Sequence, residues 1–207
     1  MSAQPPSRRE TTTLDDRRAV RREQLMEVGE EIVGTKGAGD LTVRGVCRAA
    51  GLSERYFYES FPDRESLLLA VHERAEQQAR ERILEALTSA DSRDQAIRAV
   101  VEAFVGFFEE DPGRSRILLQ EPLVQPALAR AWRRSLTTLA AILAGLIAGE
   151  GDDPEGPEMR LTAVALAGGL TGMYLGYLRQ AIEAEPGQIV DRGVDLIERS
   201  IGGTPSS

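Results

Sequence analysis

The chain has 207 residues, a length that favours one domain or one small module attached to a larger one. Its hydrophobic share of 42% and its charged share of 28% are typical of a soluble globular protein and exclude wholesale disorder. The formal net charge is −8 at pH 7. Residues 1–64 carry 11 basic and 11 acidic side chains, whereas residues 65–207 carry 14 basic and 22 acidic ones. Because phosphate binding depends on the local field, the balanced N-terminal part is where a nucleic-acid site is expected.

Two residue types are too scarce for most enzyme chemistry. Lys36 is the only lysine, and the segment around it lacks the glycine pattern of a phosphate-binding loop. His72 is the only histidine, which leaves almost no material for a histidine-rich metal site or a Ser-His-Asp triad. We therefore expect no enzyme activity, no metal site and no cofactor. We expect His72 to be a solvated residue on a helix.

The single cysteine and the N-terminus bear on the cellular compartment. Cys47 cannot form an internal disulfide, which suits a reducing environment. Residues 1–18 contain no apolar run, so no secretory signal is predicted and the expected location is the cytoplasm. Cys47 falls on the apolar face of a predicted helix, and no second cysteine could resolve an oxidised sulfur. An inert buried thiol is therefore favoured over a redox sensor.

Helical spacing of apolar residues runs through nearly the whole chain, and no segment shows sustained alternation. Glycine, proline and capping residues divide it into helices. In chain order, the predicted helices cover about 15–36, 43–50, 53–60, 62–88, 97–108, 117–119, 126–146, 157–184 and 190–201. The predicted fold class is therefore all-α with about nine helices.

Residues 42–61 have the layout of a helix-turn-helix. Thr42 is placed to cap the first helix, and Gly51 supplies a permissive backbone for the tight turn. Phe57 and Phe61 would hold the second helix on the core, leaving its polar and aromatic side chains to point elsewhere. Such side chains near a helix N-terminus fit the major groove of DNA.

Residues 41–68 resemble the DNA-binding signature of the TetR (tetracycline-repressor-like) family of transcription regulators, and the nine-helix outline fits the same family. The most specific matches are Thr42, Ala50-Gly51-Leu52-Ser53, Phe57-Tyr58, Phe61 and Leu67-Leu68. The resemblance implies a dimer that binds double-stranded DNA and responds to a small apolar or amphipathic molecule. Two positions depart from the family pattern: Ser60 stands where histidine is common, and Arg64 stands where lysine is common.

The resemblance and the positions together assign roles in DNA binding. Arg55 and Tyr56 are the candidates for reading bases, because arginine can bind O6 and N7 of guanine together. The candidates for phosphate contacts are Thr42, Arg44, Ser53, Tyr58 and Arg64. The alternative for Tyr56 and Tyr58 is that they are core aromatics.

An arginine-rich stretch precedes the motif. It contains Arg8, Arg9, Arg17, Arg18, Arg21 and Arg22. A flexible basic arm could enter the minor groove or follow phosphates, and the start of a solvated helix is the other interpretation.

The acidic remainder is predicted to enclose a ligand pocket and to form the dimer. The candidate pocket residues are Phe104, Phe107, Phe108, Trp132, Met173, Tyr174 and Tyr177. For each of them, ordinary core packing is the alternative. In the family that the chain resembles, the last two helices pair with those of a second subunit. The candidate interface residues are Gly168, Gly172, Gly176, Val190, Val194 and Ile197.

Leu161–Leu178 is an uncharged stretch of eighteen residues with glycines spaced by four. That length and spacing would also fit a membrane helix. The stretch is only moderately apolar and no partner span is present, so a buried or dimeric helix without a membrane is favoured.

The leading hypothesis is a dimeric repressor that a small molecule releases from a pseudo-palindromic operator. The expected division is a DNA-binding domain at 1–64, an effector and dimerisation domain at 65–201, and a disordered tail at 202–207. The alternative is a helical small-molecule binding protein or enzyme that uses a C-terminal cavity.

Overall fold

The computed structural model describes residues 14–149 and 151–201. These residues form nine α-helices and no strand, which confirms the predicted all-α fold. The helices are α1 (Leu14–Lys36), α2 (Val43–Ala50), α3 (Glu54–Ser60), α4 (Arg64–Thr88), α5 (Arg93–Glu109), α6 (Pro112–Ser115), α7 (Ala129–Ile147), α8 (Pro157–Leu178) and α9 (Pro186–Ile201). The tail at 202–207 and the arginines Arg8 and Arg9 lie outside the described residues.

Side-chain caps define where several helices begin. The hydroxyl of Thr42 accepts a hydrogen bond from the backbone N–H of Gly45 at 3.1 Å, at the start of α2. Asp63 accepts one from the N–H of Ser66 at 2.7 Å, at the start of α4. These bonds satisfy N–H groups that have no partner inside the helix. The hydrogen bond from Ser66 also lowers the pKa of the Asp63 carboxyl.

The predicted helices differ from the structure most clearly at two places, and α5 and α9 also begin about four residues before their predicted apolar stripes. The segment predicted as a short helix at 117–119 is a π-helical turn, Arg116–Gln120, between α6 and a 3₁₀ turn that contains Pro122. α8 ends at Leu178 rather than near 184. Gln180 there has a φ of 55°, and the N–H groups of the next two residues return to the carbonyl of Gly176. The spacing of apolar residues does not indicate this turn, so the end of the helix could not be predicted from it.

α1 to α3 pack around a small apolar core that includes the first part of α4. Phe57 and Phe61 are both buried there, with ring centroids 5.9 Å apart. α4 then continues away from this unit and packs along α5 and α7. A single helix therefore belongs to both cores, which makes it a rigid connection between them.

α5 lies at the centre of the second core, between α4 and α9, and α7 packs along α8. The close approach of α9 depends on Gly193. A Cβ at this position would lie 2.8 Å from Leu170 and 2.9 Å from Val101. Any larger residue would push α9 away from its neighbours.

A second contact joins the two units at the C-terminal end of α1. The Cα of Gly113 would lie 3.1 Å from a Cβ built on Gly34, so these two backbones touch. The Arg116 guanidinium donates a hydrogen bond to the carbonyl of Thr35. The unit formed by α1 to α3 is thus held by α6 and the π-helical turn as well as by α4.

The only histidine, His72, is buried rather than exposed to solvent as predicted. His72 is fully buried on α4, and neither ring nitrogen has a hydrogen-bond partner. Burial, together with the positive charge of Arg134, lowers its pKa to about 4. The expectation of a solvated histidine was wrong, because α4 is enclosed here by both units rather than by one.

Candidate nucleic-acid interface

The turn between α2 and α3 has the geometry that the sequence predicts. Gly51 adopts a left-handed conformation with φ of 65°, and its N–H bonds back to the last turn of α2. The N–H of Leu52 donates to the carbonyl of Cys47 at 2.9 Å. These hydrogen bonds satisfy the end of α2, which therefore stops sharply, and α3 begins after three residues. The Cys47 thiol is buried, which raises its pKa and fits an inert side chain.

α3 divides cleanly into a buried and an exposed face. Phe57 is fully buried, whereas Tyr56 and Tyr58 are 38% and 56% exposed. The side chain of Arg55 is 84% exposed and pairs with Glu59 at 3.1 Å. The structure therefore places both candidate base-reading residues on the outer face of the second motif helix. It places neither tyrosine in the core.

The candidate phosphate ligands are arranged less uniformly. Thr42, Arg44 and Ser53 are exposed near the N-termini of α2 and α3. Arg44 pairs with Glu54 at 3.3 Å while remaining highly exposed, so the pair can open at little cost. The side chain of Ser53 makes no capping hydrogen bond and is free to bind another group.

Arg64 differs from the expectation. Its Nε donates to the carbonyl of Leu41 at 2.6 Å, and its Nη2 donates to the carbonyl of Ala38. Both bonds hold the segment that leads into α2. The guanidinium is therefore engaged inside the protein, because the carbonyls of Ala38 and Leu41 both face it. We assign Arg64 a structural role.

Three arginines of α1 hold the C-terminal end of α3, a contact that sequence reasoning missed. Arg18 donates to the carbonyl of Glu59, and Arg22 donates to the carbonyl of Ser60 at 2.9 Å. Arg21 lies 4.4 Å above the ring of Tyr56 and 3.6 Å from the Glu59 carboxylate. Arg18, Arg21 and Arg22 therefore belong to α1 and contact α3, so they form neither a free arm nor only a solvated helix start. The signal available was their i, i+3, i+4 spacing, which places them on one face of a helix.

The three-helix unit with its outward Arg55 and Tyr56 defines a DNA-binding helix-turn-helix protein. Residues 25–71 match the family model described as "Bacterial regulatory proteins, tetR family". This match over the three-helix unit and the start of α4 supports a DNA-binding transcriptional regulator of this family.

Relatives extend the similarity beyond the motif. The chain is 25% identical to the nucleoid occlusion factor SlmA of Vibrio atlanticus, over 89% of this chain and 97% of that protein. It is 26% identical to the HTH-type transcriptional regulator EthR of Mycolicibacterium smegmatis, over 84% of this chain and 78% of that one. A TetR-like regulator from Rhodococcus sp. RHA1 shares the fold, with a TM-score of 0.69 at 20% identity, covering 90% and 98% of the two chains.

The second unit contains an apolar cavity of about 90 Å³. Phe104, Phe107, Phe108 and Trp132 line it, as the sequence analysis expects of pocket residues. Sequence reasoning missed the walls from α4, the π-helical turn and α8. Those additional lining residues include Ile83, Leu118, Leu119 and Thr171.

The other three candidate pocket residues do not line the cavity. Tyr174 is buried, with its ring 5.1 Å from that of Phe108, and its hydroxyl donates to Glu109 at 2.7 Å. Burial and this carboxylate raise the pKa of Tyr174. Tyr177 lies beside the same carboxylate, at 3.5 Å. Met173 is also absent from the wall. Tyr174 instead packs in the core against Phe108, and Tyr177 packs against Tyr174.

The candidate interface residues fall into two groups. Gly168 and Gly172 are exposed on α8, in line with Leu161 and Val164, and a Cβ at either glycine would meet nothing within 4 Å. The side chains of Val190, Val194 and Ile197 are instead buried inside the protomer. They differ from the expectation because the apolar stripe of α9 packs on α5 and α8. Gly176 is covered by Ile182.

By length and composition alone α8 could cross a membrane, and about a third of its apolar stretch is buried in the protomer. Among the described residues, no group of three or more His, Cys, Asp or Glu side chains could hold a metal ion.

Proposed function

We propose that the protein is a homodimeric transcriptional repressor that a small molecule releases from a pseudo-palindromic operator. The exposed pair Arg55 and Tyr56 on the second helix of the motif carries this proposal. In a two-fold dimer, two such helices would enter successive major grooves, with half-sites about one helical turn apart.

DNA binding is assigned to residues 1–64 and ligand binding to residues 65–201. Arg55 and Tyr56 read base edges, while Thr42, Arg44, Ser53 and Tyr58 contact phosphates. The exposure of all six side chains supports these roles. Residues 1–64 have no net charge, although the rest of the chain is acidic. The electrostatic potential near the motif is therefore set by the arginines close to it.

The dimer is formed by the exposed face of α8. Leu161 is 72% exposed, and Val164, Gly168 and Gly172 continue the same uncharged surface. Such a surface is costly in water, and its small residues would allow a second helix to approach closely. A second copy that covers this face around a two-fold axis would produce a soluble protein, as expected in the cytoplasm.

The cavity of the second unit is proposed to bind the effector. Ile83 on α4 and Leu118 on the π-helical turn both line it, and both segments also touch the DNA-binding unit. A ligand that widens the cavity would move these two connections together. If the ligand binds the displaced state more tightly, it shifts the population away from the DNA-binding one.

The first experiment is a selection from genomic DNA fragments with purified protein, run beside Tyr56→Ala. We expect the wild type to enrich a short palindrome and Tyr56→Ala to weaken that enrichment. Val124→Ala is the matched control, because Val124 is 69% exposed in the turn before α7 and away from the motif. Retention of all fragments alike by the wild type would contradict sequence-specific regulation. A small-molecule binding protein that uses the C-terminal cavity would then be favoured.

A further inference from the structure

We propose that the effector is an amphipathic anion, whose apolar part occupies the cavity and whose acidic group binds Arg80 at its opening. This inference rests on the proposed ligand cavity and adds the chemical class of the ligand. It does not depend on which DNA sequence the protein recognises.

The wall of the cavity is apolar where it is most deeply buried. Phe104, Phe107 and Phe108 of α5 line it, and all three are nearly inaccessible to solvent. The hydroxyl of Thr171 is the polar group contributed by α8. A charged group placed against this wall would lose its hydration without gaining a partner, so the inner end of the ligand must be apolar.

The opening lies between α4 and α7. On these two helices many lining residues are partly exposed, including Glu76, Ser135 and Thr138, and Arg80 is exposed. One end of the groove between the helices is bridged by the ion pair of Glu73 with Arg134, at 3.1 Å. A ligand that fills the cavity therefore reaches solvent beside Arg80.

Charge at the opening favours an anion. Thr138 belongs both to the cavity wall and to an open groove along α7, which is lined by Arg130, Arg133 and Arg134. The charged residues that line these two connected surfaces are thus four arginines and one glutamate, Glu76. Glu73 at the end of the groove pairs with one of these arginines, Arg134, which leaves an excess of positive charge. This cluster is the opposite of the acidic domain that surrounds it. Locally concentrated positive charge attracts anionic ligands.

Arg80 is the cation best placed for recognition. Its side chain forms no ion pair or hydrogen bond with any residue that the structure describes, whereas Arg134 is already paired with Glu73. A guanidinium binds carboxylate and phosphate groups through two parallel hydrogen bonds. Glu76 could pair with a cationic ligand instead, but the neighbouring arginines would repel such a ligand.

The cavity volume limits the shape of the ligand. The cavity volume of about 90 Å³ is smaller than the roughly 150 Å³ of an engineered cavity that holds benzene. About 700 Å³ of unfilled space is present when the solvent-open mouth is included. A slender alkyl chain that extends from the wall to Arg80 fits these dimensions better than a bulky ring system.

The test uses the full chain without DNA and four probes with the same chain length: octanoate, octyl phosphate, octanol and octyltrimethylammonium. Trp132 is the only tryptophan and lines the cavity, so its fluorescence reports occupancy of this site. We expect both anions to change the emission and to bind about tenfold more tightly than octanol. Octyltrimethylammonium is expected to bind most weakly.

Substitutions of Arg80 test whether this residue binds the acidic group of the ligand. Arg80→Glu should weaken octanoate about tenfold or more and improve octyltrimethylammonium, while Arg80→Lys should retain part of the preference for anions. Arg160→Glu is the matched control, because Arg160 is also exposed and has no side-chain partner among the described residues. Equal affinity for cation and anion, unchanged octanoate binding in Arg80→Glu, or no fluorescence response to any probe would overturn the proposal. Failure of octanoate to release DNA, with Arg80-dependent binding intact, would instead contradict the proposed regulation.

Discussion

At the scale of single residues, the tyrosine that we propose as a base-reading residue has its orientation set by another helix. Tyr56 projects from α3, but Arg21 of α1 lies over its ring at 4.4 Å. Arg18 and Arg22 fix the end of α3 through backbone carbonyls. The two aromatic faces of Tyr56 are therefore not equally free, and its approach to a base edge is restricted before DNA binds.

We expect Arg21→Ala to reduce operator affinity through Tyr56. A cation over an aromatic ring contributes about 1 kcal/mol at a partly exposed site. In a double-mutant cycle, the losses from Arg21→Ala and Tyr56→Ala should therefore fall short of additive by about this amount. The measurement is operator affinity of the two single variants and the double variant. Arg17→Ala is the control, since Arg17 is exposed on the same helix, and its effect should be additive with that of Tyr56→Ala. Additive losses for Arg21→Ala and Tyr56→Ala would disprove the coupling.

His72 predicts a dependence of stability on pH. Its pKa is about 4 in the folded chain, below the ordinary value of 6.5, because burial opposes the charged form. The unfolded chain therefore binds a proton first as pH falls, and the free energy of unfolding decreases between pH 6.5 and pH 4. We expect a loss of about 2 kcal/mol between pH 7 and pH 5 from this group.

Urea denaturation of the wild type and His72→Leu at both pH values measures this effect. Because His72 is the only histidine, the variant should lose most of the difference between pH 7 and pH 5. Parallel pH dependences in the two proteins would show that His72 is accessible to protons in the folded chain.

At the scale of elements, the motif is built largely from local signals. The Thr42 cap, the left-handed Gly51 and the spacing of Phe57 and Phe61 all lie within twenty residues. Each of these features acts through neighbours in sequence, so it can be recognised before the fold is known. The π-helical turn at Arg116–Gln120 has no such signal, since its shape follows from packing against α1 and α4.

The cap of α2 gives a prediction at this scale. Thr42→Ala should lower the free energy of unfolding by about 1 kcal/mol, because the N–H of Gly45 loses its acceptor. Thr42→Ser keeps the hydroxyl and should retain most of the stability. Chemical denaturation of the three proteins measures the difference. An equal loss in Thr42→Ser and Thr42→Ala would mean that the methyl group, rather than the hydrogen bond, stabilises this turn.

At the scale of the whole molecule, the exposed uncharged face of α8 determines the expected assembly. Gly172→Glu should give a stable monomer, because a side chain there meets nothing within the protomer yet places a charge in the proposed interface. Gly145→Glu on α7 is the control, since Gly145 is also exposed and unobstructed. Sedimentation equilibrium distinguishes monomer from dimer. A dimer that persists in Gly172→Glu would place the interface elsewhere.

The sequence alone determined the all-α architecture, the position of the helix-turn-helix and the outward direction of Arg55 and Tyr56. These depend on helical periodicity, caps and a turn glycine, which act over a few residues. It also identified four aromatic residues that line the cavity, because their apolar stripes must face a common core.

Only the tertiary structure decided which polar and aromatic groups are engaged by distant parts of the chain. Arg64 binds carbonyls more than twenty residues away, and Arg18 and Arg22 reach α3 across about forty residues. Tyr174 donates a hydrogen bond to Glu109 and does not line the cavity. The apolar stripe of α9 is buried inside the protomer. The physical reason is that a stripe or a charge predicts that a partner is needed, whereas the packing of distant helices determines which partner is met.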